Sequence, residues 1–512
     1  MLAALNTFVI TGIEAKPVRV EVDIQNGLPS FEIVGLASTS IKEARERVRA
    51  ALKNSGFKFP NRKIIVNLAP ADLKKEGSHF DLAIALGILI ASEQLEYNLS
   101  GDYYFCGELS LEGTLRKIPG VLPMVLKLAE SGLKDAHLVI PADNNEEAAL
   151  VPEILSFPVS DFKQVYNFIG GSLKIKPISG TTNCRVFDSQ DLHDFADIKG
   201  QETAKRALEI AAAGAHNVLL IGPPGAGKTM LARRAPGIFP EMRREEVLET
   251  TRIYSAANLL SPEKPLINTR PFRAPHKNAS SASIIGGGRI PRPGEISLAQ
   301  NGILFLDELP EFSRDVLEAL RQPLEDKVVT VARAYSAYTF PANFTLIASM
   351  NPCPCGNYGS GAECRCTPLQ IQRYLGRVSG PLLDRMDLHI EVPKVKFEQL
   401  TERSPGESSS AIRNRVTEAR EIQRKRFKNE AIALNSQMQP LHVKKYCYLD
   451  EDSEMLLKTA FNKLDMSARA YDRILKVART IADLDKSEKI KTQHLAEALQ
   501  YRSLDRKYWD HG

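Results

Sequence analysis

The chain has 512 residues, of which 43% are hydrophobic and 25% are charged, a composition typical of a globular protein with roughly two to four domains. Its formal net charge of +5 permits contact with nucleic acid but does not by itself argue for it. The longest apolar run, residues 82–91, is too short to span a bilayer, and the first cation is Lys16, so no basic leader is seen. We therefore expect a cytoplasmic protein without a membrane partner, whose seven cysteines are free thiols or metal ligands.

The first third of the chain mixes predicted strands and helices. Strands are predicted over 18–24 and 63–68, because polar and apolar residues alternate there and β-branched residues are frequent. Helices are predicted over 41–52, over the apolar stretch 81–91, and within 115–132. On the first of these helices, one face is apolar and consists of Ile41, Ala44, Val48 and Leu52.

Two segments of this region, KKEGSHFDLAIALGIL at 74–89 and GELSLEGTLRKIPG at 107–120, resemble the proteolytic domain of Lon proteases and the related domain of RadA-type recombination proteins. The resemblance implies a ribosomal-S5-like α+β fold. Lon enzymes use a serine nucleophile and a lysine base, but here His79 and Leu122 stand at those two positions, with Ser78 next door. Because a nucleophilic hydroxyl needs a positioned base, we expect an inactive protease domain that assembles subunits or guides substrate. His79 is then a surface or structural histidine.

The stretch NVLLIGPPGAGKTM at 217–230 contains the pattern G-x-x-x-x-G-K-[ST] between a predicted buried strand and a predicted helix. Glycines at 222, 225 and 227 let several backbone N–H groups converge on one phosphate. Lys228 should reach the β- and γ-phosphates of ATP, and the Thr229 hydroxyl should bind Mg²⁺. The alternative is a glycine-rich turn that matches by chance. The predicted nucleotide loop consists of Gly222, Pro223, Pro224, Gly225, Ala226, Gly227, Lys228 and Thr229.

Two further buried strands are predicted downstream, and both end in polar residues. The strand at 302–309 carries Asp307 and Glu308 at its end, where the first can hold the Mg²⁺ shell and the second can polarise the attacking water. The strand at 345–351 ends at Asn351. The alternative for Asp307 and Glu308 is a solvated strand end without a catalytic role. The alternative for Asn351 is that it simply begins a turn.

These segments occur in the order seen in AAA+ ATPases, and residues 195–512 resemble the magnesium-chelatase clade of that family. The segment DIKGQ at 197–201 is similar to the adenine-side segment that opens many AAA+ modules. The resemblance implies that Asn351 is sensor 1, which helps place the attacking water. It also implies that Arg385, in GPLLDRMDL, is an arginine finger that reaches the ATP of the neighbouring subunit.

Two arginines have alternatives that the residues alone leave open. Arg385 could instead form an ordinary surface pair with Asp384 or Asp387. Arg469, in an S-A-R context, matches the lid arginine called sensor 2, and Arg473 one turn later is the fallback.

Together with the Lon-like first domain, the whole chain resembles ComM/YifB-type proteins. The resemblance implies a homo-hexameric ring that uses ATP and Mg²⁺ as a DNA branch-migration helicase in natural transformation and homologous recombination. Single-stranded and branched DNA are the implied substrates, and recombination proteins are candidate partners. The segments most specific to this group are RPFRAPHKNASSASIIGGG, PGEISLAQNGILFLDELPEF and NPCPCG, at 270–288, 293–312 and 351–356.

The fold class expected from these observations is α/β, in four parts. They are an S5/Lon-protease-like α+β domain at 1–170, a polar linker at 171–194, a P-loop AAA+ α/β core at 195–395 and a helical lid at 396–512.

Two stretches interrupt the core where related hexameric helicases place pore loops. Residues 270–293 are rich in Pro, Gly and cations, and residues 326–341 predict a β-hairpin with cations near tyrosines. Such a combination suits a phosphate backbone and stacked bases. The alternative is that the loops pack between subunits and their cations pair with carboxylates. The predicted DNA-contacting residues are Arg270, Arg273, Lys277, Lys327 and Arg333.

Four cysteines form a C-x-C pair followed, after eight residues, by a second C-x-C pair. Four thiolates suit a tetrahedral Zn²⁺, which would be structural because no coordination position stays open. A redox pair or four unliganded thiols are the alternatives. The predicted zinc ligands are Cys353, Cys355, Cys364 and Cys366.

A second class of function competes with the DNA helicase, namely the ATPase motor subunit of a magnesium chelatase, which drives metal insertion into a tetrapyrrole. The P-loop core does not separate the two. The Lon-like domain and the cysteine loop favour the DNA function, because the chelatase subunit lacks the former. A third hypothesis gives the first domain a non-enzymatic role in recruiting a recombinase or another partner.

Overall fold

The computed structural model describes residues 2–133, 135–178, 194–261, 264–288, 291–333, 336–395, 397–401, 406–463 and 466–509. They form two compact units. The first is Met1–Arg185 with Arg244–Ile267, and the second is Val186–Arg243 with Asn268–Gly512. Most of the predicted linker lies outside the described residues. Within the described ranges, no helix combines the length and apolar character needed to cross a bilayer.

The amino-terminal part of the chain alternates strands and helices, as expected for an α+β domain. Its strands are β1 Leu2–Thr11, β2 Glu14–Gln25, β3 Ser30–Val34, β4 Lys63–Ala69, β5 Asp102–Phe105, β6 Glu108–Leu109, β7 Leu115–Arg116, β8 Ala136–Pro141 and β9 Leu155–Val159. Its helices are α1 Thr39–Asn54, α2 Asp81–Ala91, α3 Val121–Ser131, α4 Asn145–Ala148 and α5 Phe162–Ile169.

Seven of these strands form one mixed sheet in the order β3-β4-β2-β1-β5-β8-β9. The pairs β1/β2 and β2/β4 are antiparallel, and the other neighbours are parallel. The helix α1 buries its predicted apolar face, Ile41 to Leu52, and α2 is buried at every position except Ile90. The predicted strands and helices of this region are therefore confirmed, since their apolar periodicity matches the faces that the sheet covers.

Residues 194–395 contain the predicted nucleotide-binding core together with the segment Arg244–Ile267, which belongs to the first unit. Its strands are β10 Val218–Ile221, β11 Phe272–Arg273, β12 Gly286–Gly287, β13 Arg292–Pro293, β14 Ile303–Leu306, β15 Val328–Arg333, β16 Ser336–Pro341, β17 Thr345–Met350 and β18 Leu388–Glu391. The helices of this range are α6 Glu202–Gly214, α7 Lys228–Arg234, α8 Arg244–Ala256, α9 Ser281–Ile285, α10 Glu295–Leu298, α11 Arg314–Ala319, α12 Arg321–Asp326, α13 Pro368–Leu375 and α14 Gly380–Leu383.

A parallel sheet in the order β11-β14-β17-β10-β18 organises this core. Strands β10, β14 and β17 are buried at every residue, as predicted for strands with helices on both faces. The predicted hairpin is also confirmed, because β15 and β16 pair antiparallel. The carboxyl ends of β10, β14 and β17 meet at one edge, which places the polar residues that follow them close together.

The carboxyl-terminal region is helical, as predicted. Helix α19, the long amphipathic helix of the lid, packs on α6 and α16 and buries Ile474, Leu475, Ala478 and Ile481. Tyr471, near the beginning of the helix, stays 39% exposed. The helices are α15 Phe397–Thr401, α16 Ser409–Arg426, α17 Pro440–Tyr446, α18 Glu451–Lys463, α19 Ala468–Leu484, α20 Thr492–Gln500 and α21 Leu504–Trp509.

Helix α8 belongs to the first unit, although the chain reaches it from the phosphate-loop helix α7. Ser255 Oγ donates a buried hydrogen bond of 2.6 Å to Glu147 Oε2, and Arg252 Nε donates to the Ile13 carbonyl over 2.9 Å. Val247 and Leu248 pack against the apolar cluster around α3. The segment 244–267 is therefore an integral part of the amino-terminal unit, which no sequence pattern predicted.

Candidate nucleotide-binding site

The predicted phosphate loop connects β10, an inner strand of the parallel sheet between β17 and β18, to α7. Gly225 and Gly227 adopt φ values of +76° and +91°, which L-residues with a Cβ rarely adopt. A Cβ on Gly222 would lie 2.1 Å from the Val392 carbonyl oxygen, so only glycine allows this close approach of two chain segments. The local sequence thus dictates the curled loop that a phosphate site requires.

Lys228 is buried and links the loop to the neighbouring strand. Its Nζ donates to the carbonyls of Gly222 and Pro223 over 2.7 and 2.9 Å, and to Asn351 Oδ1 over 3.1 Å. Burial is the main cause that lowers the pKa of this ammonium, which Asp307 and Glu308 partly offset. A buried cation held by exchangeable acceptors can turn to phosphate oxygens, which are stronger partners than carbonyls.

The predicted magnesium ligands also meet. Thr229 Oγ1 donates to Asp307 Oδ2 over 2.9 Å, which brings a hydroxyl and a carboxylate to one point. Ser349 Oγ, on the neighbouring strand β17, donates to the other carboxylate oxygen of Asp307. Sequence reasoning missed Ser349. A buried serine two residues before Asn351 in an apolar strand is the signal that could have found it.

Glu308, the predicted catalytic base, occupies an uncommon backbone conformation, φ +55° and ψ 50°. Its N–H donates to Asp307 Oδ1 over 3.1 Å, which fixes the backbone beside the predicted magnesium ligands. Its Oε2 accepts a bond of 2.6 Å from Lys277 Nζ, and that bond raises the pKa of Lys277. The two side chains are 49% and 41% exposed, so the pair lies at the surface.

Gln201, in the predicted adenine-side segment, bridges the phosphate loop and the chain after β18. Its Nε2 donates to the Ala226 carbonyl over 3.2 Å and to the Pro393 carbonyl over 2.6 Å. Gln201 also lines a cavity of about 570 Å³ that Pro393 and Tyr501 share. A cavity of this size beside the loop has room for a purine base.

The arginines assigned by resemblance occupy different environments. Arg385 is buried within its own unit, where it donates to the carbonyls of Arg321 and Pro381 and pairs with Glu325 at 2.6 Å. Its carboxylate partner is thus Glu325 and not the Asp384 or Asp387 of the alternative. Arg469 is exposed in the first turn of α19.

The fallback for sensor 2, Arg473, contacts Asp387 Oδ1 at 3.2 Å. Burial would raise the pKa of Asp387, but His216 and the charge of Arg473 outweigh it and lower that pKa well below its usual range. Burial also lowers the pKa of Lys327, whose charge lies among Asp387, Arg473 and Lys476.

The predicted DNA-contacting cations of 270–293 are engaged within the chain. Arg270 donates to the carbonyls of Pro240 and Asn301 over 2.6 and 2.7 Å. Arg273 forms a two-point contact with Glu295 at 2.6 and 2.7 Å, and Lys277 holds Glu308. Pairing with carboxylates, the alternative for this loop, is what Arg273 and Lys277 do here. The Arg333 side chain and Tyr335 lie outside the described part of the hairpin.

The four cysteines come together directly after Asn351. Their sulfur atoms all lie within 4.8 Å of one another, with Cys353 Sγ 3.4 Å from Cys355 Sγ and 3.8 Å from Cys364 Sγ. In a tetrahedral zinc site with Zn–S bonds of about 2.3 Å, the sulfurs are separated by roughly 3.8 Å. The donor set therefore fits a metal ion. The fourth member is Cys366.

In the first unit, the positions that Lon enzymes use for catalysis hold structural residues. His79 is 4% exposed and its Nε2 contacts the Phe8 carbonyl at 2.8 Å, while burial lowers its pKa to about 4. Ser78 Oγ donates to a carboxylate oxygen of Glu108, and Leu122 is fully buried. His79 is therefore a structural histidine and not a surface one.

A phosphate loop after an inner strand of a parallel sheet, with Asp307 and Glu308 following β14, which is separated from β10 only by β17, defines a P-loop ATPase core of the AAA+ type. Three family models match the chain. Residues 20–144 match subunit ChlI of Mg-chelatase, residues 194–400 match magnesium chelatase, subunit ChlI, and residues 406–502 match the ChlI C-terminal model.

Relatives that match over nearly the whole chain identify the family more specifically. The chain is 46% identical over 509 residues to the uncharacterized protein YifB of Escherichia coli K12, covering 99% of this chain and 98% of that one. It is 47% identical over 500 residues to the competence protein ComM of Haemophilus influenzae Rd, covering 97% and 96%. The chain belongs to the ComM/YifB-type family of magnesium-chelatase-like AAA+ ATPases. A shorter match, 28% identical over 157 residues and covering 28% of this chain and 27% of the other, is to Lon protease 2 of Bacillus subtilis.

Proposed function

We propose that this chain is a ring-forming, hexameric ATPase that drives branch migration of DNA during natural transformation and homologous recombination. The observation that carries the proposal is the network that joins Lys228 to Asn351 and Thr229 to Asp307. All four side chains would face one bound nucleotide, so the site has the parts that ATP hydrolysis needs. The name of the relative ComM supports a role in competence.

Each residue would act on bound MgATP in a distinct way. The magnesium ion would neutralise developing charge on the phosphates, held by Thr229 and Asp307. Lys228 would leave its carbonyl partners for the phosphate oxygens, and Asn351 would orient the attacking water. Glu308 would take a proton from that water.

Two arginines would complete the site. Arg385 would exchange Glu325 for the phosphates of a neighbouring subunit, as an arginine finger does. Arg469 would contact the phosphates of its own subunit from the lid, with Arg473 as the alternative. The four-part division at 170, 194 and 395, with the segment 244–267 counted with the amino-terminal unit, and the cytoplasmic location belong to this proposal.

DNA contact is assigned to the hairpin β15/β16 and to the segment 270–293. Lys327 and Arg333 would supply the hairpin cations, and Arg270, Arg273 and Lys277 those of the segment. Because phosphate contacts dominate the affinity of a basic surface for DNA, binding should weaken steeply with salt. Single-stranded and branched DNA are the proposed substrates, and recombination proteins are the proposed partners.

A structural Zn²⁺ at Cys353, Cys355, Cys364 and Cys366 is also part of the proposal. The separation of the sulfurs supports it, and four thiolates would leave the ion no open position for catalysis. Such an ion would fix the loop that follows Asn351.

One experiment tests the main function. ATP turnover by the purified protein is measured with and without single-stranded and branched DNA, and movement of a labelled four-way junction is followed in parallel. We expect DNA to raise the rate of ATP turnover. We expect the branch point of the junction to move only when ATP is present. E308Q should bind ATP and DNA yet leave the junction unmoved. Turnover that is the same with and without DNA, in a protein that captures none, would overturn the proposal.

The second candidate is the motor subunit of a magnesium chelatase, which the descriptions of the matching family models favour. For this candidate, we expect the rate of ATP hydrolysis to be unchanged by DNA and to increase when a tetrapyrrole-binding partner subunit is added. The same turnover assay therefore separates the two candidates.

A further inference from the structure

A cavity of about 510 Å³ in the second unit opens beside the cysteine cluster and is lined by three arginines. Arg365 comes from the cysteine loop, Arg373 comes from α13, and Arg377 follows the end of that helix. Among the described residues that line the cavity, Glu311 alone carries a carboxylate. Three guanidinium groups and one carboxylate give the cavity an excess of two positive charges.

The single carboxylate of this cavity is already engaged. Arg377 Nη1 donates to Glu311 Oε1 and to the Pro310 carbonyl, each over 3.3 Å. Within the part of the chain that the structure describes, Arg365 and Arg373 have no ion-pair partner, and neither guanidinium donates to a cysteine sulfur. Both arginines are exposed, so their guanidinium groups are available to a ligand from outside the chain.

The chemistry of the cavity fits a phosphate backbone. Like charges gathered in one concavity repel each other, and an anion that occupies the cavity removes that repulsion. A planar guanidinium can donate two parallel hydrogen bonds to one phosphate. Tyr374 is the aromatic residue of the lining, and it is only 7% exposed, so it offers no open ring face on which a base could stack.

We propose that this arginine-lined cavity binds the phosphate backbone of single-stranded DNA. The inference rests on the proposed function, and it adds a DNA-contacting surface outside the hairpin β15/β16 and the segment 270–293. Arg365 and Arg373 contact the phosphates. Arg377, through its bonds to Pro310 and Glu311, is a positioning residue that holds the end of α13 in place.

The cysteine cluster supports this surface. Arg365 lies between Cys364 and Cys366 in the sequence, and its backbone N–H donates to Cys355 Sγ. The backbone of the phosphate-contacting arginine is therefore fixed by the same sulfur atoms that form the candidate zinc site.

The test measures binding of a labelled single-stranded oligonucleotide to the full-length protein by fluorescence anisotropy, over a series of salt concentrations. R365A and R373A should each weaken binding and reduce the steepness of log affinity against log salt by about 0.7, the contribution of one phosphate contact on a single strand. The loss should be equal for oligonucleotides of different sequence, because the backbone is bound and the bases are not. R365K and R373K keep the charge and should keep the native salt dependence.

The matched control is R62A. Arg62 is an exposed arginine of the first unit that has no ion-pair partner among the described residues, and its removal should leave the salt dependence unchanged. For every variant we also measure zinc content, affinity for a fluorescent ATP analogue, and the assembled mass by mass photometry. All three should equal the native values.

The outcomes separate this inference from the proposed function. A native protein that captures no DNA overturns the proposed function. Native protein that binds DNA, together with R365A and R373A variants of unchanged salt dependence, overturns the cavity as a DNA site and leaves the proposed function standing. The cavity is likewise refuted if the two variants lose zinc, affinity for the ATP analogue or the native assembly. In those cases the arginines serve the thiolates, the nucleotide or an acidic segment of a second copy of the chain.

Discussion

Arg385 pairs with Glu325 at 2.6 Å and is 7% exposed, although its sequence context matches that of a residue that reaches into the next subunit. The ion pair keeps the guanidinium satisfied within its own unit. For Arg385 to act on a neighbour, this pair must open on assembly, which makes the residue's role testable in mixed rings.

Mixing two inactive variants should restore activity if Arg385 acts in trans. The E308Q subunit keeps Arg385, and the R385A subunit keeps Glu308. Where the two kinds of subunit meet, an ATP site of an R385A subunit can therefore have its own Glu308 and the Arg385 of its E308Q neighbour. We expect each variant alone to lose at least about a hundredfold in kcat, since an arginine finger contributes a large rate factor. Mixed assemblies should regain a measurable fraction of native turnover. If mixtures stay as inactive as their parts, Arg385 works within its own subunit or only holds Glu325.

Ser349 should tune the affinity for magnesium. Its hydroxyl donates to Asp307, so S349A frees a carboxylate oxygen and loosens the orientation of a proposed ligand. Loss of a partner that orients a metal ligand lowers metal affinity by roughly ten- to a hundredfold, and we expect the lower end. Turnover is titrated with Mg²⁺ at fixed ATP. S131A, at the end of α3 in the first unit, is the control, and an S349A titration that superimposes on the native curve would refute this role.

The cysteine cluster should hold about one zinc per chain. Metal analysis of the native protein is compared with C353S and C364S, each of which removes a thiolate and should release the ion. C447A is the matched control, because Cys447 is buried elsewhere in the second unit. Native protein free of zinc, with an unchanged fold, would contradict the assignment.

The first unit should lose stability in acid through His79. Burial lowers the folded-state pKa of His79 to about 4 from its ordinary 6.5, so the unfolded chain binds the proton more readily. The contribution is complete above pH 6.5 and declines as the pH falls toward 4, by about 2 kcal/mol between pH 7 and pH 5.

The H79N variant isolates this effect. Asparagine keeps a polar group near the Phe8 carbonyl without a group that titrates in this range. The difference in unfolding free energy between native protein and H79N should therefore shrink between pH 7 and pH 5. The comparison also cancels Asp81, whose pKa burial raises to about 6 and whose contribution runs in the opposite direction. A difference that does not change with pH would show that His79 is not the titrating group.

The sequence predicted those features that short segments determine. Strand β10 and its glycine loop, the helix α2 and the hairpin follow from periodicity and turn residues, which act over a few positions. The ion pair Lys277–Glu308 joins residues 31 positions apart, and the ion pair Arg385–Glu325 joins residues 60 positions apart. Patterns within a short segment of sequence cannot predict such pairs. Asp307 with Ser349 is a similar case, because the neighbours of β14 in the sheet are not its neighbours in sequence.

The placement of helix α8 limits how this chain can be divided. Between α7 and β11, the segment 244–267 belongs to the amino-terminal unit, and Leu266 is buried in the apolar core of that unit. A truncated protein that starts after residue 170 would keep the segment 244–267 but lose the residues of the amino-terminal unit that pack on it. The apolar side chains of this segment would then be exposed to water. We therefore expect the ATPase module to fold correctly only when the amino-terminal unit is present.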